Sequence, residues 1–100
     1  MDKYTVHLTP RALRDLDGIY GYIATVLLER VTADSLLTRL EQGILSLETM
    51  PYRCPERQRG AYANKGYRSL IIDNYTVLYR VSEESKRVVV VTVRYARSGF

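Results

Sequence analysis

Cysteine, histidine, glycine and proline are all scarce in this chain, at one, one, six and three residues in 100. A lone cysteine, Cys54, excludes an internal disulfide and fits a reducing compartment. It stands beside Pro55 with no partner for nucleophilic catalysis or metal binding, and reads as incidental. With His7 as the one histidine and no glycine-rich loop, the chain offers neither a Ser-His-Asp constellation nor a phosphate cradle. Few glycines and prolines, against 46% hydrophobic and 26% charged residues, exclude disorder over the whole chain. The N-terminus has no apolar signal core, and no run approaches the length of a membrane span. A soluble cytoplasmic protein, off the membrane, is expected. No repeat or linker divides residues 1–100, a length that suits a single domain.

What the chain does have is positive charge, placed unevenly. The formal net charge is +4. Between Arg53 and Arg97 lie ten Lys or Arg residues against four acids, whereas the first half is nearly neutral. A basic second half favours an acidic or polyanionic partner.

That second half reads as three strands. Gly66 to Ile72, Tyr75 to Val81 and Arg87 to Tyr95 are rich in β-branched and aromatic residues, and are divided by Asp73-Asn74 and by the polar run Ser82 to Lys86. Tyr4 to Leu8 alternates like a short edge or first strand. Thr9-Pro10 then supplies an N-cap with proline at the first helical position. An apolar stripe from Ala12 to Leu27 predicts a helix running to about Leu28. Thr32 is placed to cap a second helix, striped by Leu36, Leu37, Leu40, Ile44 and Leu47 and ended by Met50-Pro51. The connection is short, so the helices fold back as an antiparallel hairpin. The expected fold is α+β, with an N-terminal strand and a helical hairpin packed on one face of a three- to four-stranded, mostly antiparallel sheet. Pro51 to Lys65 has no apolar period. It is either a solvated connection or a mobile basic flap whose tyrosines can stack on bases.

Three arginines, Arg68, Arg80 and Arg94, fall inside strands, where burial without a partner is costly. A plain two-residue hairpin at Asp73-Asn74 would put Arg68 on the face of Tyr75, Val77 and Tyr79. One bulged residue would turn it to the face of Arg80. Without a bulge, Arg80 and Arg94 would share a face with Leu78, Val88 and Val90.

The order of elements, Leu8-Thr9-Pro10-Arg11-Ala12 with Asp15-Leu16 and Ile19 to Ile23, Leu47 to Pro51, Tyr67 to Leu70, Asn74 to Val81 and Val93 to Arg97 together resemble the RelE/ParE superfamily of type II toxin-antitoxin toxins. The resemblance spans almost the whole chain and implies one of two activities, of which the first is the one expected here and the second its alternative. RelE-like members are ribosome-dependent endoribonucleases that cut mRNA without a metal or cofactor. ParE-like members poison DNA gyrase. In both, a small cognate antitoxin wraps and neutralises the toxin.

On the nuclease reading, the resemblance implies basic residues at the positions of Arg68, Arg94 and Arg97, with Arg80 between them. Arg68, Arg94 and, for proton transfer, Tyr95 are the expected catalytic residues. Arg80, Arg97 and, from the Pro51 to Lys65 segment, Lys65, Arg59 and Tyr62 are expected to hold RNA. A guanidinium clamps two phosphate oxygens at once, which suits the role. Two positions depart from the nuclease pattern: Ala96 stands where some members carry a terminal histidine, and Thr76 where many carry an arginine. His7 lies away from the family's site and reads as structural. Core packing accounts for Tyr75 and Tyr79. A degenerate toxin kept as a partner-binding or operon-regulating module is the third possibility.

Overall fold

The computed structural model describes residues 3–96. The first strand, β1, is Thr5–Leu8, and Thr9 caps the helix that follows, α1, Pro10–Gly21, with its hydroxyl accepting from the Ala12 N–H at 3.1 Å. The α-helix is shorter than its apolar stripe predicts. It loosens into a π-helical turn, Tyr22–Val26, and the chain reverses at Leu28 with φ of 57°. The second helix, α2, is Arg30–Leu45, continued by a 3-10 turn, Ser46–Glu48. Thr32 is therefore inside the first turn rather than capping it. Glu29 occupies the cap position, and the Thr32 hydroxyl donates back to its carboxylate.

Strands β2 (Tyr67–Ile72), β3 (Tyr75–Ser82) and β4 (Arg87–Tyr95) form the expected antiparallel meander. The sheet order is β1-β4-β3-β2, with β1 parallel to β4. Burial alternates along β4 only up to Val90. Along β3 it does not, because Thr76 and Leu78, with Thr92 beside them, are buried on the face away from the helices as Val77 and Tyr79 are on the helix side. Val77, Tyr79, Val88, Val90 and Val93 are buried with Leu40, Ile44 and Leu47 of the helical layer. Burial of this kind contributes about 1.5–3 kcal/mol per large apolar side chain. Gly43 lets α2 lie close on β2, since a side chain there would run into that of Ile72.

Two register facts decide which residues can meet. The β2-β3 hairpin is a plain two-residue one, with Ile72 opposite Tyr75 and Arg68 opposite Tyr79. Arg68 therefore faces the helical layer. On β4, the register shifts between Leu78, which pairs with Thr92, and Tyr79, which pairs with Val90. Val91 is left as a bulge, which turns Val88 and Val90 inward to the core and corrects the expectation that they share the face of Arg80 and Arg94.

Helix α1 secures this bulge. The Thr9 N–H donates to Val90 O at 3.0 Å and its hydroxyl to Val91 O at 2.7 Å. Beyond that point β1 has left the edge of β4, and Asp15 takes its place, accepting from the Val93 N–H at 3.1 Å and from the Thr92 hydroxyl.

Candidate functional site

The pairing sorts the strand residues onto two faces of unlike chemistry. Turned toward the helices are the apolar core residues and Arg68. On the opposite, open face the lateral neighbours His7, Val89, Arg80 and Tyr67 form one row across β1, β4, β3 and β2. Arg87 and Arg94 belong to the same face, opposite Ser82 and Thr76. None of the described strand positions on this face is a carboxylate.

Aromatic rings give the open face its shape. The Arg80 guanidinium lies 5.1 Å from the centre of the Tyr67 ring, and Tyr62 packs edge-on to the same ring at 5.0 Å. Tyr67, Arg80, Val81, Ser82, Val89 and Val91 line a cleft of about 450 Å³. An arginine held on an aromatic face keeps its N–H groups directed outward, where they can meet an anion.

The flap is anchored on the other side. The Arg68 side chain, 17% exposed, donates to Cys54 O, pairs with Glu56 at 3.6 Å and lies 4.9 Å from the Tyr52 ring centre. Residue Glu56 bridges Arg68 as a one-residue extension of the sheet beyond β2, with the Arg57 N–H donating to Tyr67 O at 2.7 Å. Buried Tyr79 donates its hydroxyl to Pro51 O at 2.7 Å. Burial, and then the Cys54 thiol, push the Tyr79 phenol well above its ordinary value. A carboxylate fastens the far side: Glu83 accepts from Tyr4 and Tyr52, both at 2.7 Å, and pairs with Lys86.

The three residues expected to do chemistry do not meet. Arg68 is on the helix-side face within the flap anchor; Arg94 is on the open face; Tyr95 is opposite Tyr75 on the helix side, rings 5.7 Å apart, at the other end of the β2-β3 hairpin from Arg68. Among the expected phosphate ligands, Arg80 is on the open face and Tyr62 is beside it. Arg59 and Lys65 are exposed in the flap. Arg97 lies outside the described residues. Sequence reasoning did not single out Tyr67 or Arg87 and set His7 aside as structural; all three stand on the face of Arg80. The alternation of exposed Thr5 and His7 with core-packed Val6 and Leu8 was the available signal.

Away from the open face, the described residues expose apolar surface in several places, two of them on the helices. One is a groove of about 400 Å³ between the helices, lined by Leu8, Leu13, Leu16, Leu37, Ile44 and Leu45 with Asp17 and Glu41. The other is the tip of the hairpin, where Leu28 is 81% and Val31 80% exposed beside exposed Tyr22, Val26 and Leu27. No helix among the described residues is long and apolar enough to cross a membrane.

Residues 6–100 match the family described as the ParE toxin of type II toxin-antitoxin system, parDE. Among solved structures, the chain is similar to a protein of the chromosomal ParDE toxin-antitoxin system from P. aeruginosa, with 19% identity over 93% of this chain and 96% of that one and a TM-score of 0.76. The RelBE2 toxin-antitoxin complex of Mycobacterium tuberculosis contains a chain 26% identical, covering 93% and 98%, with a TM-score of 0.69. The intact RelBE toxin-antitoxin complex of E. coli gives 16% identity over 93% and 96%, with a TM-score of 0.60. No curated protein matches the chain.

Proposed function

Because the chain belongs to the ParE toxin family of type II toxin-antitoxin systems, we propose that it arrests growth by gripping DNA gyrase rather than by cutting RNA. The observation that carries this reading is the scatter of Arg68, Arg94 and Tyr95 over two faces of the sheet. Cleavage by a ribose 2′-hydroxyl needs a base, an acid and cations around one phosphate. A toxin that acts by binding has no such requirement. It needs an exposed, complementary surface, and the apolar hairpin tip around Leu28 and Val31 supports that role. The groove between α1 and α2, apolar with an acidic margin, suits a helix of the cognate antitoxin presenting apolar and basic residues.

The test is a translating extract. The proposal expects the toxin to leave mRNA intact while the triple variant Arg68→Ala, Arg94→Ala, Tyr95→Phe, if folded, stays toxic in cells. Codon-positioned cleavage of ribosome-bound mRNA, abolished in that variant, would overturn it.

One observation favours a second reading, a RelE-like ribosome-dependent mRNA endoribonuclease: the carboxylate-free arginine face with Tyr67 and Tyr62 beside Arg80. On that reading Arg80, Arg94, Lys65, Arg59, Tyr62 and Arg97 hold RNA phosphates and bases. Both targets are cytoplasmic.

A further inference from the structure

We infer that the flank of α1 turned toward the start of β3 and the end of β4 is a socket for a segment of gyrase that carries a large apolar side chain next to a carboxylate. The inference rests on the gyrase reading and extends the gripping surface from the hairpin tip along α1.

A groove of about 630 Å³ runs between α1 and the sheet, with Ile19, Tyr22 and Leu27 on one wall, Tyr75 and Tyr95 on the other and Arg14 at its margin. A cleft of that size takes a body as bulky as a drug molecule, which for a protein partner means one or two large side chains. The helical wall is a product of the π-helical turn. In an α-helix, residues five apart point well away from each other. The bond from the Leu27 N–H to Tyr22 O, 3.1 Å, closes a wider turn and brings Leu27 round toward the side of Tyr22. Tyr22, 56% exposed, and Leu27, 51%, are presented together, and Leu27 joins the groove to Leu28 at the tip. On the other wall, Tyr95 packs edge-on to Tyr75 and stays 40% exposed. Tyrosine and arginine are among the residues on which binding energy concentrates at protein interfaces.

Gly18 points to a partner independently. It lines the same groove from inside α1, where glycine is the poorest helix former after proline. A side chain there would meet nothing within 4 Å, whereas at Gly43 it would run into Ile72. The fold accounts for the smallness of Gly43. A partner lying close along α1 accounts for that of Gly18.

Charge names the occupant. Of the two charged residues at the groove, Asp15 has its carboxylate on the Thr92 hydroxyl and the Val93 N–H. Exposed Arg14 makes no salt bridge among the described residues. The groove on the opposite flank of α1 has the reverse margin, Asp17 and Glu41. An acidic and apolar segment suits the first groove and is repelled by the second, so the two flanks of one helix sort two partners. A second copy of the chain, at a net charge of +4, lacks that complementarity.

The probe is purified gyrase, its subunits taken separately and together, with binding to the labelled full chain followed by fluorescence anisotropy and melting temperatures measured alongside. Gly18→Glu fills the groove and sets a carboxylate four residues from Arg14, a spacing at which the two pair on the helix. It should raise the melting temperature, since glutamate is the better helix former, yet weaken gyrase binding on the order of tenfold or more. Gly18→Ala should share the gain in stability and lose less affinity. Arg14→Glu and Tyr22→Ala should each weaken binding on the order of tenfold. None of these variants should release a co-expressed cognate antitoxin. If Leu28→Ser and Val31→Ser together weaken gyrase binding while Gly18→Glu or Arg14→Glu leaves it unchanged, the inference falls and the gyrase reading stands. If Gly18→Glu frees the antitoxin while gyrase still binds, the groove belongs to the antitoxin and the inference falls. If the wild-type toxin does not bind gyrase, both fall.

Discussion

The carboxylate of Asp15 accepts from both the Thr92 hydroxyl and the Val93 N–H, so a helix side chain completes the edge of β4 where β1 has turned away. Removing it leaves a buried hydroxyl and a strand N–H without their acceptor. Asp15→Ala should cost about 1–3 kcal/mol, read as a lower urea midpoint with an unchanged slope. An unchanged midpoint would mean that water serves this edge as well as the carboxylate does.

Tyr79 ties the core to the flap through its bond to Pro51 O. Tyr79→Phe keeps the ring and deletes only the donor, so about 1 kcal/mol should be lost. A thermal melt of the two proteins measures it. A variant as stable as the wild type would contradict a role for the buried hydroxyl.

Arg68 should matter to the order of the flap rather than to binding at the open face. Loss of its contacts to Cys54 O, Glu56 and Tyr52 removes charge-assisted bonds worth about 1.5–3 kcal/mol. In Arg68→Ala, proteolytic nicking between residues 52 and 65 should therefore rise on the order of tenfold or more. Unaltered nicking would show that the flap is held elsewhere.

Glu83 predicts an acid-sensitive joint. Its carboxyl is held down from 4.5 to about 2, first by the Lys86 ammonium and then by the hydroxyls of Tyr52 and Tyr4. The folded state therefore favours the ionised form: its contribution is complete above the unfolded value and is lost as pH falls toward 2. Tyr52 shifts the complementary way, up to about 12, chiefly through its bond to Glu83, and its share disappears only in strong alkali. Between about pH 5 and 2 the wild-type melting temperature should fall more steeply than that of Glu83→Gln. Parallel curves would remove Glu83 from the account.

The strands were legible because the chain changes chemistry sharply at their ends. Arg87 to Tyr95 was bounded correctly, since a polar turn precedes it and β-branched residues fill it. The bulge at Val91 was not, because a run of four valines, Val88 to Val91, reads the same on either face and only pairing with Leu78 and Tyr79 breaks the symmetry. Consequently the neighbours of Arg80 could not be read from the sequence, nor could the place of His7 in their row, which depends on a parallel pairing with β4. The π-helical turn at Tyr22–Val26 escaped for a related reason: the apolar stripe continues through it, although the backbone has changed its hydrogen-bond period. The position of Arg68 hinged on one turn, and the two-residue Asp73-Asn74 loop, with Asp73 at φ 53° and bound by Arg39, decided it.

Whether the toxin works by gripping gyrase is tested most directly by incubating purified toxin with gyrase, ATP and a supercoiled plasmid, then trapping cleaved DNA with detergent. The account predicts linear plasmid covalently attached to gyrase, reduced when Leu28 and Val31 are changed to Ser and unaffected by Arg68→Ala. Plasmid supercoiled normally at saturating toxin, alongside mRNA cut on ribosomes in the same extract, would contradict it.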